Sequence, residues 1–251
     1  MPWQTPKTNW NAPDGVRDTD FNRIEGNILE LYNTESAKAD TTVYVALTGN
    51  DVTGTGTYAS PYRTIQKAIS VLPKNLNGRT VTVDIDAGNY GEDVTISGFS
   101  GVLKLHAAGL TVIKRLTIDN CCVVHTGNQI NMLPVTGTGI TLQNNGVLIS
   151  GGPLYVGNGT KGAEVLYGGK LVCTGTLTIS NTTQVAIDVY WGGRAYIGTL
   201  AGTGNTATGM SATVGGFIQY SSFSLSATGT RQLTRGGGRI YTGAQSSVPN
   251  Y

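Results

Sequence analysis

At 251 residues the chain can bury a substantial core, and sustained apolar alternation excludes disorder despite 36 glycines and only 13% charged residues. A net charge of +2 gives no reason to expect nucleic acid or an anionic membrane as a partner. No run approaches the ~18 apolar residues of a membrane span, and the opening MPWQTPKTNW carries no apolar signal core. Cys121, Cys122 and Cys173 do not make a disulfide framework, and with only two histidines they do not make a zinc site. No metal or cofactor is expected.

Residues 1–40 differ in character from the remainder of the chain. The first 17 are polar and punctuated by proline, yet they carry Trp3 and Trp10, two large rings that are costly to leave in water. An arm of this kind is expected to dock. Next, DTDFNRIEGNILELYNTESAKA places Phe21, Ile24, Ile28, Leu31 and Tyr32 at helical spacing, with Asp18 or Thr19 as the cap. A single amphipathic helix needs a partner for such a stripe. The same helix from other copies of the chain would supply one as a short parallel bundle.

The segments WQTPKTNW and DFNRIEGNI resemble the opening of minor structural proteins of tailed bacteriophages that infect Gram-positive bacteria. The resemblance covers about the first 35 residues. It implies a virion protein, made in the host cytoplasm, whose N-terminus joins other virion proteins while the rest of the chain projects.

From Thr42 the text changes to strand-like alternation, then a Gly/Thr loop, then a helix over residues 61–72 with Pro61 at its first position. Tyr62, Ile65, Ala68, Ile69 and Leu72 form one apolar face. A stack of coils leaves an open apolar end, and this helix is the natural lid. The run GND…GTGTYASPYRTIQKAI is similar to the entrance of the pectate-lyase-like right-handed β-helix superfamily, shared by polysaccharide lyases, hydrolases and phage tailspikes. That likeness implies a fold and not an activity.

Short alternating runs start at Val81, Val94, Val102, Leu110 and Val123, and between Gly139 and Gly243 they become an explicit repeat. The copies are ITLQNNGVLIS from Ile140, AEVLYGGKLVC from Ala163, IDVYWGGRAYI from Ile187, MSATVGGFIQY from Met210 and the shorter RQLTRGGGRIY from Arg231. The second corner residue is Gly146, Gly169, Gly193, Gly216 and Gly238, in steps of 23, 24, 23 and 22. Such a unit cannot bury its own apolar side and must stack on its neighbours. Period-two alternation rich in Val, Ile, Thr and Tyr selects strands. Leu148, Leu171, Ala195, Ile218 and Ile240 should then point inward in one register, and Val147, Lys170, Arg194, Phe217 and Arg239 outward. Glycine at the corners would supply positive φ. The expected fold is all-β: a single-stranded right-handed parallel β-helix over residues 41–251, of about seven coils and about 30–40 Å long.

Two constellations carry candidate chemistry. Glu164 and Asp188 share an outward column on consecutive coils, about one strand spacing apart, which is within the range used by retaining glycosidases. The same column continues as Thr141 and Ser211 with Lys170 and Arg194 nearby, so a solvated ladder with surface ion pairs is the favoured explanation. Asp84 and Asp86 share a face, but a calcium site wants more oxygen ligands. The second constellation is aromatic: Tyr167 and Trp191 in one column, with Tyr190, Tyr196, Tyr220 and Tyr241 in the late coils. Exposed rings of this kind can carry sugars; the equal alternative is that some, notably Tyr220, point inward while others are covered at a chain–chain interface.

The resemblances and the residues together favour a structural phage fibre or spike, a homotrimer without enzymatic activity. Attachment and oligomerisation would rest on Trp3, Trp10, Phe21, Ile24, Ile28 and Leu31, with host-surface polysaccharide as a further partner. The acid clusters of the superfamily's lyases and polygalacturonases are not recognisable here. The rivals are a tailspike-type depolymerase using Glu164 and Asp188, and a non-viral carbohydrate-binding β-helix.

Overall fold

The computed structural model describes residue 5 and residues 17–134, 136–205 and 208–243, with backbone alone for 30–35. Its main body is a right-handed parallel β-solenoid of about seven turns with a period near 23 residues. Each turn has three faces. Face 1 stacks Asp93–Ser97, Arg115–Asp119, Thr138–Gln143, Lys161–Val165, Val185–Val189, Thr208–Thr213 and Gln232–Arg235. Face 2 runs from Thr41–Val45 through Val81–Ile85, Val102–Ala107, Cys122–Gly127 and Val147–Ser150 to the first halves of three long strands, Lys170–Ser180, Arg194–Asn205 and Phe217–Ala227. It ends at Arg239–Thr242. Face 3 is built from Gly88–Asn89, Thr111–Ile113, Ile130–Met132 and Leu154–Gly157, and it continues into the second halves of the same long strands. Nine strands at ~4.8 Å give face 2 a height of about 38 Å.

The register is set by the corners. Leu148 pairs with Leu171, Leu171 with Ala195, and Ala195 with Ile218, and all four are fully buried. Ile240 continues the column but stays half-buried at the last described coil. The two corner residues owe their identity to different constraints. Gly168, Gly192, Gly215 and Gly237 have φ of 75–80°, the left-handed region that costs glycine nothing. The second glycine is required by close approach instead: a Cβ on Gly193 or Gly216 would lie 2.3 or 2.0 Å from a carbonyl oxygen of the preceding coil.

The lid is shorter than the sequence suggests. Helix α2 covers Ile65–Ser70, not 61–72, and Pro61 is not its first residue. Tyr62 instead runs extended, its N–H donating to Tyr44 O at 3.0 Å while its carbonyl accepts from Ala46 at 2.9 Å. Thr64 is the cap, accepting from the Lys67 amide. Asp51 accepts from the Arg63 and Thr64 amides and the Thr64 hydroxyl, and Glu92 accepts from the Ile65 and Gln66 amides. Two carboxylates from elsewhere in the chain thus satisfy the free amides of the helix start. Tyr62, Ile65, Ala68, Ile69 and Leu72 are all buried, and α2 lies on the strands Thr41–Val45, Val81–Ile85 and Asp93–Ser97.

Helix α1, Asp18–Glu35, precedes the solenoid, with Arg17 rather than Asp18 or Thr19 at the cap position. The Arg17 amide donates to the Asp20 carboxylate at 3.2 Å. Phe21, Ile24 and Ile28 are 56%, 46% and 62% exposed, so the single chain leaves its apolar stripe uncovered. Trp3, Trp10 and the side chain of Leu31 lie outside the described residues.

Candidate functional site: an aromatic corner and an adjoining groove

The turn joining face 1 to face 2 puts two successive residues in the left-handed region. Asn144 and Asn145 occupy these positions in one coil, as Asn commonly does. In the next three coils the first position is Tyr167, Trp191 and Val214, with φ of 50°, 48° and 48°. Each costs roughly 1–2 kcal/mol relative to glycine there, and β-branched Val214 is the most unusual. Strain of this kind collects where a side chain is needed in a particular place.

The place is an exposed ladder. Tyr167 and Trp191 stack with ring centroids 4.6 Å apart and planes 15° from parallel, yet they remain 49% and 46% exposed. Tyr190 meets Trp191 edge-on at 4.7 Å. The Tyr190 hydroxyl donates to Glu164 Oε1 at 2.6 Å, which ties the ladder to face 1.

There the paired acids are not free. Glu164 and Asp188 are register partners, and Lys161 Nζ sits 2.5 Å from Glu164 Oε1 and 2.8 Å from Asp188 Oδ2. Burial by itself would raise the Glu164 carboxyl. Hydrogen bonds from Lys161 and Tyr190, with the lysine's charge, reverse that and hold it below the ordinary carboxylate value. Burial pulls Lys161 the other way, and its two carboxylate partners hold it above the usual ammonium value. Tyr190 is pushed well up by burial and by the Glu164 carboxylate. The cluster is a closed ion triad with a tyrosine lid.

The chain matches no family model, no curated protein and no solved structure.

The structure divides the aromatic residues singled out in the sequence. Tyr167, Tyr190 and Trp191 form the corner ladder, whereas Tyr196 and Tyr241 lie on face 2 with Phe217 between them, at centroid distances of 5.4 and 5.5 Å. Tyr220 is buried and accepts from Gln232 Nε2 at 2.9 Å. Tyr196 and Phe217 border a groove of about 410 Å³ that also touches Arg194, Arg239 and the corner glycines, and Tyr241 lies beside it against Phe217. Phe217 and the two arginines do not stand out as site residues in the sequence. Their signal is nonetheless present, since Arg194, Phe217 and Arg239 come directly after the corner glycine in successive copies.

A second concavity, about 480 Å³, lies at the lid end between Tyr44, Tyr58, Asp84 and Asp86. Asp84 Oδ1 is buried there without a hydrogen-bond partner. Among the described residues no group of three His, Cys, Asp or Glu side chains is placed to hold a metal. All three cysteines are free thiols, and burial pushes Cys173 up to about 11.

Proposed function

We propose that this chain is a structural fibre or spike protein of a tailed-phage particle. Residues 1–40 attach it and bring copies together as a homotrimer, and the solenoid presents a glycan-contacting surface to the host. The observation that carries this reading is the uncovered stripe of α1. Phe21, Ile24 and Ile28 are exposed on a helix that precedes a solenoid already closed by its own lid. Burying each such side chain is worth roughly 1.5–3 kcal/mol, enough together to order a short helix against its own copies. The particle context comes from the resemblance of the first residues, and the Tyr167–Trp191 ladder supports the glycan contact.

The depolymerase reading is less well supported. A glycosidase needs one carboxyl kept protonated as the acid, and Glu164 is shifted the opposite way while Lys161 occupies the space between the pair. We expect no release of reducing ends from host wall or capsular glycan.

Sedimentation of the full chain tests the assembly. The parent should run as three copies, and a Phe21→Ser/Ile24→Ser/Ile28→Ser variant as one copy with unchanged β-sheet circular dichroism. A parent that sediments as a monomer, or a variant that remains a trimer, would move oligomerisation away from α1.

A further inference from the structure

Every acidic residue of the chain lies at or before Asp188, whereas Arg194, Arg231, Arg235 and Arg239 come after it. The late coils are therefore purely cationic even though the whole chain is nearly neutral. On face 2 the pairing of strands puts Lys170, Arg194, Phe217 and Arg239 in one column. Arg194 and Arg239 are exposed, and neither has an ion-pair partner among the described residues. Half-buried Arg115 finds Asp93 at 3.9 Å, and Lys161 finds Glu164 and Asp188; past Asp188 the sequence offers no acidic side chain.

We propose that the face 2 groove binds an acidic polysaccharide, with Arg194 and Arg239 taking carboxylates and Phe217, Tyr196 and Tyr241 carrying the sugar rings between them. The geometry supports each part. The two arginines are two strand spacings apart, about 9.6 Å, on either side of an aromatic surface continuous from Tyr196 through Phe217 to Tyr241. Guanidinium groups take carboxylates in a two-pronged fashion, while the apolar faces of sugar rings lie on aromatic planes. Lys170 adds a third cation, its Nζ 5.4 Å from the Tyr196 ring. Burial and then the charge of Arg194 push that ammonium below its usual value.

An aromatic surface between the two guanidinium groups suits a polymer that carries its carboxylates on sugar rings with apolar faces, rather than a bare chain of phosphates. This inference extends the glycan-contact reading to a second face and gives the ligand a charge, and its test lets either part fail alone.

Calorimetry on the full chain would use polygalacturonate as the probe, with dextran, a thymidine oligonucleotide and polyphosphate as comparisons. Polygalacturonate should bind, more weakly as salt rises, and clearly more tightly than the other three. Arg194→Gln/Arg239→Gln should reduce its affinity by about tenfold or more, equivalent to ~1.4 kcal/mol. Phe217→Ala should weaken it with the thermal midpoint checked in parallel. Lys114→Gln, at an exposed cation away from the groove, should leave it unchanged, and Tyr167→Ala/Trp191→Ala reads the corner ladder separately. Absence of polygalacturonate binding, or binding undiminished in the double arginine variant, would overturn the proposal. So would equal affinity for the oligonucleotide or polyphosphate, which would mark a general polyanion surface, or for dextran. If only the Tyr167→Ala/Trp191→Ala variant lost polygalacturonate, the corner ladder and not the groove would be the acidic-glycan site.

Discussion

The two ends of the solenoid use one repeat for opposite purposes. At the lid end polar groups face one another: Asp51 and Glu92 hold the start of α2, Lys74 Nζ reaches Ser97 O, and Asp93 meets Arg115. At the far end Arg194 and Arg239 stand beside Phe217 and Tyr241 without acids. One end devotes its polar side chains to closing the core. The other leaves them outward, on a scaffold whose inward residues are unchanged in kind. The absence of acidic side chains past Asp188 distinguishes the far end better than its tyrosines do, because tyrosines occur at both ends.

The largest expected effect would break this contrast at the core. Ile69→Ala removes a buried side chain of the lid and should cost about 2–5 kcal/mol. Ile240→Ala, half-buried in the last described coil, should cost less than about 1 kcal/mol. Urea unfolding midpoints would compare them. An Ile240→Ala loss as large as that of Ile69→Ala would mean that the far end is covered in solution.

Next in size is the lid's polar clasp. Asp51→Ala leaves the Arg63 and Thr64 amides without their acceptor and should cost about 1–3 kcal/mol. Hydrogen exchange should show faster opening of 62–72 than of the late coils. Uniform loosening of all coils would argue that the lid and the shaft unfold as one unit.

The register is legible in the sequence because glycine recurs at each corner, single in the first copy and paired in the next three, and the residue two positions past the last of them decides the inward column from Leu148 to Ile218. The closure of Glu164 and Asp188 by Lys161 is not legible. Strict alternation puts residues 161 and 164 on opposite faces, but Gly162 and Ala163 are both buried, and the strand steps over one position between Lys161 and Ala163. Both polar side chains therefore emerge on the same side. The lid's start is obscured for a related reason. Pro61 suits a helix's first turn, but the Tyr62 amide donates to Tyr44 O and its carbonyl accepts from the Ala46 amide, which keeps that segment extended. Tertiary pairing outweighs a local preference. The cationic groove escapes a reading of composition because net charge conceals a division along the chain.

A smaller effect would sharpen the reading of the corner. Val214→Gly relieves a β-branched residue at φ 48° that has no ring partner and should stabilise by up to ~1 kcal/mol. Trp191→Gly relieves the same conformation but loses the Tyr167 stack, worth about 0.5–1.5 kcal/mol, so its net change should be close to zero. If both stabilised alike, the ladder would contribute nothing to the fold and its retention would point more strongly to ligand contact.

The smallest effect concerns pH and lies between the two ends. His125 is buried, with Nδ1 2.7 Å from Ser150 Oγ and Nε2 3.0 Å from the Asn128 carbonyl oxygen. Burial drives its folded value below the ordinary 6.5; the Asn128 contact opposes this and the charge of His106 adds to it. Below 6.5 the unfolded chain takes up a proton that the folded chain refuses, so stability falls as pH drops from 6.5 to the folded value and then levels. The late coils beyond Asp188 contain no carboxylate or histidine side chain, so they supply no comparable loss. Urea midpoints at about pH 7.5 and about pH 5.5 should therefore differ for the parent and differ less for His125→Asn, while Arg239→Gln keeps the parent's difference. A midpoint that rises on acidification would mean that the Ser150 and Asn128 oxygens favour the charged ring more than burial disfavours it.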